Sequence, residues 1–382
     1  MGAMRPPLPR LAPLAPLIWG WLVLLGGMLA HASVAAQAPS PTTDPSARES
    51  AVRLSASVLR IEAPQPGGGF SLGSGVLVAP GLVVTNCHVT RQSETLRVVR
   101  GGVRWPVTAQ RADMAHDLCL LHAPGVQAAV VPLADSDAHA LVIGQQVTAL
   151  GYSGGMDLQH SIGAVVDLHR LDGGQVVQTS NGFNSGASGG GLFDAEGRLV
   201  GILTFRLRGG DQHYFAAPAL WVRQLLATAR QEGLPAVAAL DPAALPFWQV
   251  PGDRQPRFLR AARMVHEQRW HDLAGLAQGW LQDDGHDGEP WYLLGLALHR
   301  LDQPAAARQA LDCAIRLQPQ RTLDAAGPVA RRVAVGHNMP SGVAPNPLAN
   351  LLASPLTNLP ASPSTHLPAT PLTDLSIDTC PT

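Results

Sequence analysis

Lysine does not occur anywhere in the 382 residues, so all 27 basic side chains are arginine. Against 28 acidic residues they leave a formal net charge of -1. They are scattered rather than gathered on one face, which excludes a nucleic-acid binder as the leading reading. The missing lysine reads first as a coding bias toward GC-rich codons. Long apolar runs are also missing. The longest, Leu17 to Ala30, has 14 residues, short of the roughly 20 needed to span a bilayer. Arg5 and Arg10 precede it and Val34-Ala35-Ala36 follow, so residues 1–36 are predicted to be a secretory signal with no stable membrane span left after its removal. No twin arginine and no cysteine after the small residues point to folded export or a lipid anchor. No His/Cys cluster has ligand spacing, so neither a metal nor a cofactor is expected. Cysteine is scarce at four positions, Cys87, Cys119, Cys313 and Cys380. In an exported chain the even count suggests pairing, with three connectivities open.

What is abundant is glycine and proline, at 39 and 33 residues. That excludes a plain helical bundle and favours a turn-rich β domain with unstructured ends. From Ala51 to about Arg230, short apolar runs such as GSGVLVAP, GLVVTNCHV, LCLLHA, QQVTALGY, QVVQT and RLVGILTF alternate with Gly, Pro and Asp. This argues for an all-β sandwich or barrel. Helical periodicity enters only at its end, in LWVRQLLATARQ. Within the β region, Thr85-Asn86-Cys87-His88-Val89, His116-Asp117-Leu118-Cys119-Leu120 and Asn184-Ser185-Gly186-Ala187-Ser188-Gly189-Gly190 offer an imidazole, a carboxylate and a serine in a glycine turn. Serine is a weak nucleophile that needs a base, and the base needs a carboxylate to fix its tautomer. Each residue alone has a structural explanation; the joint pattern points to nucleophilic catalysis. The G-x-S-x-G around Ser188 does not fit the elbow of α/β-hydrolases, because polar residues precede it and a hairpin pattern, LFDAEGRLVGI, follows.

Together these stretches resemble the trypsin-like, chymotrypsin-fold serine peptidases, especially the bacterial exported branch that includes the HtrA/Deg proteases. The matching residues are Gly73-Ser74-Gly75-Val76 through His88, Asp117 to Leu121, and Gly186 through Ile202. The resemblance implies two six-stranded β-barrels with His88 and Asp117 from the first and Ser188 from the second. It further implies an oxyanion hole at the N–H groups of Gly186 and Ser188. Gly182 matches the pocket floor where trypsin-type enzymes carry an acid; with Thr204, Phe205 and the Tyr214 to Ala217 strand, including Ala216, it predicts a shallow apolar substrate pocket, with Asp211 in an adjoining loop. Ala187 stands where zymogen-activated relatives have aspartate, so no activation cleavage beyond signal removal is expected. Cys87 and Cys119 flank the histidine and the aspartate, and a disulfide between them is expected in an oxidising compartment.

After a connector the period becomes helical. Trp291, Leu294, Gly295, Leu298, Ala307, Leu311, Ala314 and Pro319 follow the tetratricopeptide (TPR) pattern, and Ala261, Met264, Leu273, Ala277 and Trp280 fit it more weakly one repeat upstream. Two such pairs rarely stand alone, so they are expected to pack on the β domain or dimerise. Arg254, Arg257, Arg260, Arg263 and Arg269 cluster here, compatible with an acidic partner. From Asn346 an eight-residue unit recurs, with Pro347, Pro355, Pro363 and Pro371 in register; proline at that density predicts a disordered spacer. The expected organisation is signal 1–36, linker 37–50, protease domain 51–230, linker 231–255, TPR-like domain 256–320 and tail 321–382. The expected function is an exported serine endopeptidase acting on proteins or peptides. Its rival is an inactive secreted scaffold of the same fold.

Overall fold

The computed structural model describes residues 52–135, 139–207, 214–318 and 380–381. The expected signal segment, the first linker, Asp211, Pro319 and all but two residues of the tail lie outside these.

Two β structures follow one another. The first is a seven-stranded antiparallel sheet of β1 (Val58–Pro64), β2 (Phe70–Ala79), β3 (Leu82–Asn86), β4 (Arg97–Arg100), β5 (Val103–Pro106), β6 (Ala109–Asp113) and β7 (Leu118–His122), in the order β5-β4-β1-β2-β3-β7-β6. It counts seven strands because Gly101 and Gly102, at φ 55° and 83°, fold β4 and β5 into a tight hairpin, the positive φ at both central positions that such turns require. The second is a closed barrel of β8 (Gln146–Ser153), β9 (Asp157–Leu171), β10 (Gly174–Thr179), β11 (Gly191–Phe193), β12 (Leu199–Arg206) and β13 (Tyr214–Pro218), ordered β10-β13-β12-β11-β8-β9. The fold is therefore mostly β and chymotrypsin-like, as the resemblance implies, and is followed by helices; one closed six-stranded barrel is present, and a seven-stranded sheet stands where the other six-stranded barrel is expected.

The strands read as nearly continuous apolar runs because both of their faces are buried. Alternate residues split between two cores. Val76, Val78, Val84, Leu118 and Leu120 face the larger core, while Leu77, Val83, Cys119 and Leu121 face the interior of the first sheet. Each fully buried Val or Leu contributes about 1.5–3 kcal/mol, so a one-residue slip would reverse both sets at once. The segment LWVRQLLATARQ forms α2 (Ala219–Glu232), after the short α1 (Cys87–Thr90). Trp221, Val222, Leu225, Leu226 and Ala229 bury one stripe of α2 on the β domain. Gly233, at φ 76°, ends it by donating its N–H to Ala229 O.

The connector then runs back along the first sheet. Pro235 O accepts from Gln110 N at 2.9 Å, Leu240 N donates to Arg91 O at 2.7 Å, and Phe247 N donates to Ala115 O at 3.0 Å. The Arg91 guanidinium holds the carbonyls of Asp241, Pro242 and Ala244. Four helices follow, α3 (Arg257–His266), α4 (Trp270–Asp283), α5 (Gly288–Arg300) and α6 (Pro304–Leu317). Asp287 caps α5 by accepting from Glu289 N at 3.0 Å. The helices pack on the second barrel: His169 of β9 pairs with Glu289 at 2.9 Å and stacks on Phe258 at 4.4 Å. Cys313 of α6 is disulfide-bonded to Cys380. Among the described residues no helix is long and apolar enough to cross a membrane.

Candidate active site

β3 ends at Asn86, and the single turn of α1 lifts His88 out of the sheet. β7 begins at Leu118, and the pairing of Asn86 with Leu118 brings the histidine turn beside Asp117. Asp117 adopts φ 60°, a left-handed conformation that aspartate tolerates better than most residues. Its carboxylate grips His88 at two points. Oδ1 accepts the His88 backbone N–H at 2.9 Å, and Oδ2 binds the ring Nδ1 at 2.6 Å. The Asp117 side chain is 1% exposed and that of His88 23%, so the pair is desolvated on the carboxylate side and open on the ring's outer side. The Asp117 carbonyl is held by Asn86 Nδ2 at 2.9 Å. Directly behind the pair, Cys87 and Cys119 form a disulfide with Cα atoms 4.9 Å apart, joining the segments that carry the two residues.

Ser188 lies in the loop between β10 and β11, half-buried between buried neighbours. Gly189 N donates to Leu203 O and Ser74 N donates to Ser188 O, both at 2.8 Å. Gly186 has φ 93°, and a Cβ there would lie 2.4 Å from Tyr152 O, so no side chain fits. The N–H groups of Gly186 and Ser188 meet no acceptor among the described residues. Ser188 Oγ donates to Thr204 O at 3.4 Å, and among the described residues it makes no hydrogen bond to the His88 ring.

Of the predicted pocket residues, Gly182 is exposed, and a Cβ on it would be 3.7 Å from the Tyr214 hydroxyl. Thr204, Phe205 and Ala216 are buried, with Phe205 stacked on Phe215 at 4.7 Å. Tyr214 packs against Phe183 at 5.0 Å.

Two residues at the site escaped the sequence reading as individuals. Ser74 is fully buried; its hydroxyl donates to Gly186 O at 2.8 Å and accepts from Tyr152 N at 2.8 Å. Its signal was present, since it sits between two glycines in the quoted Gly73-Ser74-Gly75. Trp248, in the connector, donates its indole N–H to Asp117 Oδ2 at 3.1 Å and meets the His88 ring edge-on at 5.6 Å. Nothing in the Pro/Ala-rich sequence around it marked it.

Two further clusters involve histidine. His116 Nδ1 meets Asp113 at 2.7 Å and Nε2 meets Asp172 at 3.1 Å, with the ring stacked on Trp221. Burial alone would push the His116 imidazolium down, but the hydrogen bonds and charges of Asp113 and then Asp172 outweigh it and hold the pKa above its ordinary value of 6.5. Asp167, His169 and Glu289 bring ligand atoms within 4.8 Å of one another, a cluster hidden by the sequence distance between strand and helix. Both His169 ring nitrogens are engaged, by Glu289 and by Gln178, which makes the cluster a polar joint between barrel and helices.

Comparison with known proteins finds relatives of the β region. Residues 73–202 match the family described as trypsin-like peptidase domain. The magnetosome formation protease MamE of Magnetospirillum gryphiswaldense is 34% identical over 146 residues, 35% of this chain and 19% of its own. A probable periplasmic serine endoprotease, DegP-like, of Chlamydia pneumoniae is 27% identical over 164 residues, 40% of this chain and 33% of its own. Among solved structures, a serine endoprotease from Yersinia pestis aligns at 24% identity with a TM-score of 0.45, covering 49% of this chain and 67% of that one. The chain spans only about a fifth to a third of the length of these two curated relatives. Residues 73–202 are thus similar to the trypsin-like peptidase domain, and the chain is similar in sequence to proteins named as DegP, DegP-like and HTRA4 serine proteases.

Proposed function

We propose that the chain is an exported serine endopeptidase that hydrolyses peptide bonds through an acyl-enzyme. The observation that carries this reading is the His88–Asp117 pair at 2.6 Å, a buried carboxylate fixing an imidazole that stays partly exposed. His88 takes the Ser188 proton as the hydroxyl attacks the scissile carbonyl, then returns it to the leaving amine, while Asp117 stabilises the imidazolium. The N–H groups of Gly186 and Ser188, without other acceptors among the described residues, receive the oxyanion; one such donor contributes about 3 kcal/mol. Gly182 leaves the pocket floor uncharged. A Lys or Arg side chain there would be buried unpaired at a cost of several kcal/mol, so the preference is for small apolar residues at P1, seated near Thr204, Phe205 and Ala216. Ala187 removes the need for an activating cleavage.

Export rests on the 1–36 signal pattern and on relatives named as periplasmic endoproteases. The helices α3–α6 are two TPR-like pairs, in which Ala261, Leu273 and Ala277 repeat the positions of Gly295, Ala307 and Leu311 about 34 residues on; they serve as a partner-binding appendage. One observation favours the alternative, an inactive scaffold of the same fold: Ser188 Oγ bonds Thr204 O rather than His88. Labelling with a fluorophosphonate probe decides. An active peptidase is labelled at Ser188 and the Ser188→Ala variant is not; an intact chain that resists labelling is the scaffold.

A further inference from the structure

Asp117 Oδ2 accepts two donors, the His88 ring and the Trp248 indole N–H. Trp248 belongs neither to the sheet nor to the barrel. It arrives from the connector, 131 residues after the aspartate, and its ring is clamped: it stacks on Phe205 at 5.1 Å and 9° and presents its edge to His88. Its backbone is held from the other side. Trp248 O accepts from Gln255 Nε2 at 3.0 Å, and Gln255 Oε1 accepts from Arg263 of α3 at 2.7 Å.

We propose that Trp248 is a positioning residue of the peptidase, supplied by the connector and seated by the helical module, so that docking of the helices completes the catalytic carboxylate's hydrogen-bond shell. The inference rests on the serine peptidase reading above. Both other side-chain contacts of the Asp117 carboxylate come from His88, one on each oxygen, so carboxylate and imidazole can still shift together. The indole N–H is a third contact from outside that pair and holds it against the rest of the site, and a donor to a charged group is among the stronger hydrogen bonds. The aromatic contact also excludes water from the carboxylate, which keeps its attraction for the imidazolium undiluted. The chain Arg263–Gln255–Trp248–Asp117 makes the helical module an extension of the active site.

The test uses the full chain and Trp248→Phe, which keeps the ring packing and removes the N–H, together with Gln255→Ala, which loosens the tryptophan from outside the triad. Exhaustive fluorophosphonate labelling counts competent sites, and kcat and KM on a peptide substrate are expressed per labelled site. The expected result is a fall in kcat per site of about ten-fold for Trp248→Phe, with KM within about two-fold, and a smaller fall in the same direction for Gln255→Ala. Trp248→His, which restores a ring N–H, recovers part of the loss. A purely structural role would lower the labelled fraction and leave kcat per site unchanged, and that outcome overturns the proposal. If the unsubstituted chain takes no label at all, the peptidase reading itself fails.

Discussion

The hydroxyl of Ser74 donates to the carbonyl of Gly186 at 2.8 Å across 112 positions of sequence. The same oxygen accepts from Tyr152 N, so one small side chain ties β2 of the first sheet to both the serine loop and β8 of the second barrel. Replacing it with alanine leaves a donor and an acceptor unmet in a buried place, at about 1–3 kcal/mol. Ser74→Ala is therefore expected to lower the melting temperature and slow fluorophosphonate labelling of Ser188. Labelling at the unsubstituted rate would show that the tie does not shape the loop.

Gly186→Ala tests the oxyanion loop. The positive φ and the approach to Tyr152 O leave no room for a methyl group, so the loop must turn and withdraw an N–H from the hole. The expected loss in kcat is about 100- to 1,000-fold, measured on a peptide substrate, with circular dichroism confirming the retained fold.

Removing the Cys87–Cys119 bridge by a double change to alanine frees a loop with a sequence separation of 32. On chain entropy this costs about 3–4 kcal/mol, read as a drop in denaturant midpoint. Activity is expected to fall further than stability alone explains, because the bridge joins the segments that carry His88 and Asp117.

His116 predicts a pH dependence of stability. Its folded pKa is raised by Asp113 and Asp172, so its contribution is fully present below the unfolded value of about 6.5 and is lost as pH rises through the higher folded value. The melting temperature of the unsubstituted protein minus that of His116→Gln should shrink as pH climbs through this window. A difference that stays constant from about pH 5 to 9 would rule out the protonated clamp.

Much of this was legible in the residues themselves. His88, Asp117 and Ser188 stood out because each lay in a local context that tight turns and strand ends impose, and α2 because its stripe had a helical period. The pairing of Cys87 with Cys119 followed once the triad was placed. Ser74 and Trp248 were hidden for a different reason: they act across long sequence distances, through contacts that no local period encodes. The arginines of the helical module add a detail that composition does not carry. Their clustering is compatible with an acidic partner, and within the fold three of the five also have intramolecular partners: Arg257 pairs with Asp283, Arg263 with Gln255, and Arg269 with Glu267 and Asp272.

The bridge between Cys313 and Cys380 has a topological consequence. It closes the intervening chain into a covalent ring anchored on α6. Any protease can cut that ring once without shedding a fragment, since both pieces stay joined through sulfur. A cut product would migrate as intact protein until reductant is added, and only then separate in two.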